Sequence, residues 1–396
     1  MRKLFLLSII ILVLKGSILS QKPYSEKVNF DYIRLPKNPL PKDIVGYSGE
    51  VVLSYEEEVI NAKKVYEEAV IDAKKESESQ KQEYKDKSLG NKIVNKALLN
   101  EGKPTDIKVE NEYFAKIYDI EMIKNKYLQI PGLEISDDSK CKIIIDLKGF
   151  QIGDIEEKVK ERKRKKDDKT ITINFYKYAI NHKHPMSVSV ATDDYSFTLD
   201  ETFTELEEYK TSYTSEYPKK YDLQKYWKTN KIPFLTKIDE KQTHGNLAKV
   251  SGFLKSNFGH TKMNYEAKIW MVKHKKFDYS DLYEAYEKVV TGYNNLIEEG
   301  QEEELKNSIL GAITIWEKAL EEYNPSTKKA RINDKAAAAI HLNCAEAYMW
   351  LNKYSEAQKH INKVVVLNIT KFENRSDKLK AFLKDHQARY KALLKG

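Results

Sequence analysis

From Ser280 to the carboxyl end, apolar residues recur at steps of three and four, which commits this part of the chain to amphipathic helices. Leu282, Tyr286, Val289, Tyr293 and Leu296 form one stripe, and Leu310, Ile313, Trp316 and Leu320 form another. A last helix is expected over 376–395, with Leu379, Phe382, Leu383, Tyr390 and Leu393 on one side and basic residues on the other. The 396 residues include only 15 Gly and 10 Pro, so long helices with few tight turns are favoured over a sandwich of short strands.

The clearest helical segment is Ala336 to Leu367, AAAAIHLNCAEAYMWLNKYSEAQKHINKVVVL. Two helices can pack closely only where small side chains let the backbones approach, and Ala345 and Ala357 supply them. Tyr348 follows Ala345, Asn352 stands at the turn, and Tyr354 fills the space beside it. This spacing resembles a tetratricopeptide repeat. AITIWEKAL, with Ala312, Trp316 and Ala319, matches the second helix of a preceding repeat. The pattern is departed from at Val364, where a small residue is usual, and in the missing closing proline. About one and a half repeats match, so the stack is expected to lean on a neighbour and on the last helix as a cap. The resemblance implies protein binding on a concave face, with Asn343, Glu346 and Trp350 as contacts. The layout also resembles uncharacterised exported proteins of Bacteroidota-type bacteria that end in such hairpins.

At the other end, Arg2 and Lys3 precede the apolar stretch Leu4–Leu14, and Ser20 precedes Gln21. This is the three-part pattern of a secretory signal peptide over 1–20, with an uncleaved anchor as the alternative. The stretch is shorter than the roughly 20 residues that span a bilayer. An exported location, in the periplasm or cell envelope or secreted, follows from that reading.

Between the two ends the expected class is α+β, with one or two mixed sheet-and-helix units over 21–135 and 136–278 and an all-α stack over 279–396. Val28, Phe30 and Tyr32 alternate with polar residues as in a half-buried strand. A second strand is expected at 50–54, a charged helix over 55–87 and strands near 105–109 and 142–147. The seam Val59, Ala62, Tyr66, Ala69 and Ala73 fits a helix lying on its own unit, or a short coiled-coil arm. Ile171, Ile173 and Phe175, then Met186, Val188 and Val190, read as a hairpin about His184-Pro185. A helix at 246–258 and a strand at 265–272 close the unit. Gly90-Asn91 and Gly245-Asn246 each open a short helix, a hint of duplication. Cys141 and Cys344 fall in different units among apolar neighbours, as buried thiols do.

Candidate chemistry is sparse. There is no HExxH, CxxC or GxSxG and no phosphate-cradling glycine loop. His182 and His184 share one strand face and could offer two metal ligands, but no partner lies at a recognisable spacing. The pairs Asp137-Asp138 and Asp193-Asp194 read as turn residues. Arg162, Lys163, Arg164, Lys165 and Lys166 form a basic run that reads as a solvated hairpin tip or as a contact for polyanions or anionic lipid. Tyr209, Tyr213, Tyr217 and Tyr221 fall at steps of four, a stripe that Pro218 would interrupt. Net charge is +8 with acids interspersed, which argues against nucleic acid as a partner. The leading expectation is therefore a non-enzymatic protein-binding or scaffold protein with no cofactor and no metal. The alternatives are a hydrolase or metal enzyme using His182, His184 and Asp193, and an envelope-structural protein in peripheral contact with a membrane.

Overall fold

The computed structural model describes residues 22–87, 104–166, 169–273, 277–298, 300–327 and 330–395. The expected signal segment and the helix expected from Asn91 lie outside the described residues. The fold is α+β with a helical carboxyl-terminal region, as expected. The division along the chain is different from the expected one. Pro41–Leu254 forms one compact unit, and the described residues up to Leu40 form another with those from Lys255 onward.

The reason lies in the second of these, the discontinuous unit. Strand β1 (Pro23–Arg34) pairs antiparallel with β10 (Thr261–Val272) along its whole length, from Pro23 opposite Val272 to Arg34 opposite Thr261. The alternation of Val28, Phe30 and Tyr32 puts all three on one buried face, with Tyr265 and Ala267 opposite. That face joins the core of five helices: α5 (Ser280–Asn294), α6 (Glu302–Glu321), α7 (Asp334–Trp350), α8 (Tyr354–Leu367) and α9 (Thr370–Lys395). Small residues sit where these helices meet. Ala345 and Ala357 are fully buried, and a Cβ on Gly292 of α5 would lie 2.5 Å from Ile309 Cγ1 of α6. Asn352 takes a left-handed φ of 57° in the turn between α7 and α8.

Helix α7 is buried on nearly every side. Its three expected contact residues are therefore not available to a partner. Asn343 is fully buried: its Oδ1 accepts from the Trp270 N–H and its Nδ2 donates to the Trp270 carbonyl, both at 2.8 Å. A two-stranded ribbon leaves each strand one unpaired edge, and this amide satisfies the edge of β10. Glu346 is 1% exposed and accepts two bonds from Arg375 of α9, at 2.7 and 2.8 Å. Burial raises its carboxyl pKa, and Arg375 opposes that shift. Trp350 is the hub of an aromatic cluster, its ring 5.3 Å from Phe30, 5.1 Å from Tyr32 and 5.2 Å from Tyr265. The ribbon and α9 occupy the face that a free helical stack would expose.

The central unit, Pro41–Leu254, holds two sheets. The first has the order β3-β2-β4-β7-β8, from β2 (Gly46–Leu53), β3 (Glu134–Ile135), β4 (Cys141–Leu147), β7 (Met186–Thr192) and β8 (Thr198–Thr202). Its middle strand β4 buries Cys141, Ile143, Ile145 and Leu147 completely. The second has the order β5-β6-β9, from β5 (Gln151–Lys166), β6 (Lys169–Lys183) and β9 (Lys210–Tyr213). The expected hairpin of the 171–175 and 186–190 runs is not formed, because β6 pairs with β5 and β9 while β7 pairs with β4 and β8.

Helix α1 (Glu56–Asp86) lies on its own unit along one face: Tyr66 meets Phe114 at 5.6 Å, and the Ile107 N–H donates to Ser77 Oγ. The expected strand at 105–109 is irregular chain laid against this helix. Two short helices, α2 (Ile120–Tyr127) and α3 (Thr204–Glu207), precede α4 (Lys220–Phe258). Gly245-Asn246 lies inside this 39-residue helix, so the expected start at 246 is wrong. Gly and Asn weaken a helix locally, but burial of Leu235, Leu247, Val250 and Leu254 carries the helix past them. Cys141 and Cys344 are both buried free thiols.

Asn343→Ala would leave the Trp270 N–H and C=O buried without partners. The expected cost is about 2–4 kcal/mol, read from the midpoint of urea unfolding with an unchanged m-value.

Candidate functional site

Helix α4 enters the central unit with a row of polar side chains on its inner face, and these organise everything near it. Asp239 is fully buried. Its carboxylate accepts from Tyr113 Oη at 2.6 Å, the Lys116 N–H at 3.0 Å, Tyr118 Oη at 3.0 Å and Thr243 Oγ1 at 2.9 Å. A lone buried charge costs several kcal/mol, and these four donors offset it. They also tie the irregular segment 113–118 to the helix. Burial and the Asp239 charge push the Tyr113 hydroxyl pKa far up, so it remains a donor.

His184 is fully buried next to this group. Thr243 gives its proton to Asp239, so its oxygen accepts from His184 Nδ1–H at 2.7 Å, while His184 Nε2 has no partner among the described residues. Asn246 donates to the His184 carbonyl at 2.9 Å. Burial lowers the His184 pKa to about 4, against an opposing pull from Asp239. The imidazole is neutral, sealed and fixed in one tautomer, so its part is to hold the β6–β7 connection on α4.

His182, two residues earlier, faces a different environment. Its Nδ1–H donates to Gln242 Oε1, and its Nε2 accepts from Ser212 Oγ at 2.8 Å. Burial lowers its pKa, the Gln242 bond opposes that, and nearby Lys210 lowers it further. The Gln242 amide nitrogen is buried and has no hydrogen-bond partner among the described residues. His182 and Gln242 stand at the floor of an open cleft of about 800 Å³ within the central unit. One wall is β9 with Ser215. The other is a face of α4 that includes Asn230, Phe234, Lys237, Lys241, Gly245 and Lys249. Steps of three and four place these residues on one stripe.

The cleft has one sign of charge. Lys210, Lys237, Lys241 and Lys249 line it, and no carboxylate does. Among the described residues none of the four forms an ion pair, although carboxylates elsewhere in the unit do pair with lysines, as Glu240 does with Lys116 at 2.6 Å. Tyr226 and Phe234 add aromatic surface. A Cβ on Gly245 would meet nothing within 4 Å, so this mid-helix glycine answers to no packing partner and leaves the cleft wall open.

His182 and His184 hydrogen-bond to different side chains of α4, Gln242 and Thr243. Among the described residues no group of three or more His, Cys, Asp or Glu is placed to hold a metal ion. Asp193 and Asp194 lie in the turn after β7, where Asp194 accepts from Ser196 N–H and Oγ and from Thr192 Oγ1. Those bonds lower its pKa to about 2. Asp137 and Asp138 are exposed turn residues. The tyrosine stripe does not form: Tyr209 precedes β9, Tyr213 ends it, Tyr217 bridges to Tyr176 and Tyr221 lies in α4.

The basic run ends β5, where Lys163, Arg164 and Lys165 are exposed. Arg162 pairs with Glu216 and stacks over Phe175 at 4.7 Å. The Lys166 side chain is outside the described residues. No helix among the described residues is long and apolar enough to cross a membrane.

Sequence reading missed the cleft because its lysines are scattered from Lys210 to Lys249 amid acids. The one available signal was the Lys237–Lys241–Gly245–Lys249 stripe, legible only if residues 237–249 are known to be helical. Comparison with protein-family models, curated proteins and solved structures finds no match for the chain.

The His184 site has a pH signature. Its folded pKa of about 4 lies below the ordinary 6.5, so the unfolded chain takes up this proton first. Its contribution to stability is complete above about pH 6.5 and falls away towards pH 4, by at most about 3 kcal/mol. Urea titrations at pH 7 and pH 4.5 should show this loss in the wild type and a smaller one in His184→Gln.

Proposed function

We propose that this is a non-enzymatic binding protein and that its ligand is an anion held in the cleft between β9 and α4. The observation that supports it is a set of four lysines, without ion pairs among the described residues, around a concave site with no carboxylate among its lining residues. Convergent like charge in a cleft is costly to fold and is balanced when an anion binds. The unpartnered Gln242 amide adds a neutral donor at the floor. This keeps the binding role expected from the sequence and moves it from α7 to the central unit. An exported setting remains part of the proposal, resting on residues 1–20.

Inorganic tripolyphosphate serves as a minimal probe. Calorimetric titration should give binding that weakens with added salt. Lys237→Glu and Lys241→Glu should each weaken it about tenfold or more, the scale of one charge-assisted contact. Gly245→Ala should raise stability by about 0.5–1 kcal/mol yet weaken binding. Salt-independent binding, or binding indifferent to both lysines, would overturn the reading.

A second reading, contact with an anionic membrane, is favoured by the register of β5 with β6. It places Lys158, Lys160, Arg162 and Arg164 opposite Lys177, Phe175, Ile173 and Ile171, so basic and apolar side chains interleave on one face. Glu156 and Glu216 neutralise part of it, while Arg164 is unpaired among the described residues. Vesicles with phosphatidylglycerol should sediment the protein and neutral vesicles should not. The triple change of Lys158, Lys160 and Arg164 to Glu should abolish this.

A further inference from the structure

The wall of the cleft formed by β9 is a sheet edge. In the order β5-β6-β9, β9 stands at the end, and among the described residues no strand pairs with its other side. The register decides which groups are free there. The Thr214 N–H donates to the Tyr178 carbonyl at 3.0 Å, and Tyr213 lies opposite Ala179. Backbone direction alternates along an antiparallel strand, so Ser212 and Lys210 also face β6. The N–H and C=O groups of Thr211 and Tyr213 then point away from the sheet. All four β9 residues line the cleft. β9 is short and carries Lys210, which limits pairing by other chains, but it holds no proline or bulge.

From this we infer that the ligand is an extended acidic peptide that adds a strand to the outer edge of β9. The inference rests on the cleft being an anion site. Thr211 and Tyr213 would supply main-chain hydrogen bonds, and the lysines of α4 would select side chains. The two repeats are compatible. Lys237 and Lys241 are four residues apart on a helix, a rise of about 6 Å. Alternate residues of a strand share a face and lie about 6.6–6.8 Å apart. A peptide running along the helix with Asp or Glu at every second position would therefore meet Lys237 and Lys241 in turn. Lys249, about 12 Å beyond Lys241, would meet a carboxylate four peptide residues further on.

The test uses the full chain and three fluorescent hexapeptides read by anisotropy: alternating Glu-Val, the same peptide N-methylated at alternate residues, and a block isomer Glu-Glu-Val-Val-Glu-Val, in which no two acids stand at alternate positions. The alternating peptide should bind and be displaced by tripolyphosphate. N-methylation and the block order should each weaken binding about tenfold, the loss of one or two directional bonds. Thr211→Pro removes an outward N–H while leaving the bonds of Lys210 and Ser212 to β6. It should weaken the peptide and spare tripolyphosphate. The N-methylated peptide gives the same information should that variant fail to fold. If all three peptides bind alike, the edge is not used and the inference falls while the anion site stands. If neither peptide nor tripolyphosphate binds in a manner dependent on Lys237 and Lys241, the anion site falls as well.

Discussion

A strand at residues 23–34 finds its partner at 261–272, and most of the architecture follows from that pairing. Closing so long a loop costs entropy that grows only slowly with its length, so even a distant partner is affordable if the interface is good. The interface is good because the ribbon is amphipathic. Phe30, Tyr32 and Tyr265 turn inward together and meet Trp350, Tyr293 and Phe382 in one aromatic cluster. The five helices then complete a core around a strand from the start of the described chain and a strand from residues 261–272. Residues 41–254 become an insertion between two paired strands.

Within that insertion the ordering element is a buried carboxylate. Among the described residues Asp239 has no lysine or arginine partner; it is held by four hydrogen bonds. The chain His184–Thr243–Asp239 looks like a relay but is closed to solvent, and its directionality makes it a clamp. It fixes α4 against β6, and with α4 fixed the lysines on the helix's next face stand opposite β9. Structure and candidate function are thus adjacent faces of one helix, one built around the buried Asp239 cluster and the other lined by lysines without ion pairs among the described residues.

Periodicity made the local elements legible. The half-buried strand at Val28–Tyr32, the apolar strand at 142–147 and the helices after Ser280 form where the spacing of apolar residues puts them, because burial of one face is what stabilises each. Reading failed where the partner was distant. The 171–175 and 186–190 runs are both strands, yet nothing in their spacing says that they join different sheets. Gly245-Asn246 has the composition of a helix start and lies inside a helix, because buried leucines on either side outweigh two weak positions.

The sequence by itself determined the class of the fold, the presence of close-packed helical pairs with Ala345 and Ala357 between them, and the amphipathic face of β1. Each is a property of local spacing and side-chain size. Only the tertiary structure decided what those faces meet. Asn343, Glu346 and Trp350 have the character of contact residues, and they are contacts, but with Trp270, Arg375 and the aromatic ribbon of the same chain. The lysines from Lys210 to Lys249 have the character of a solvated surface and converge on a cleft. Which polar groups are satisfied internally and which are left open depends on strand pairing across long distances, and pairing at that range leaves no trace in local spacing.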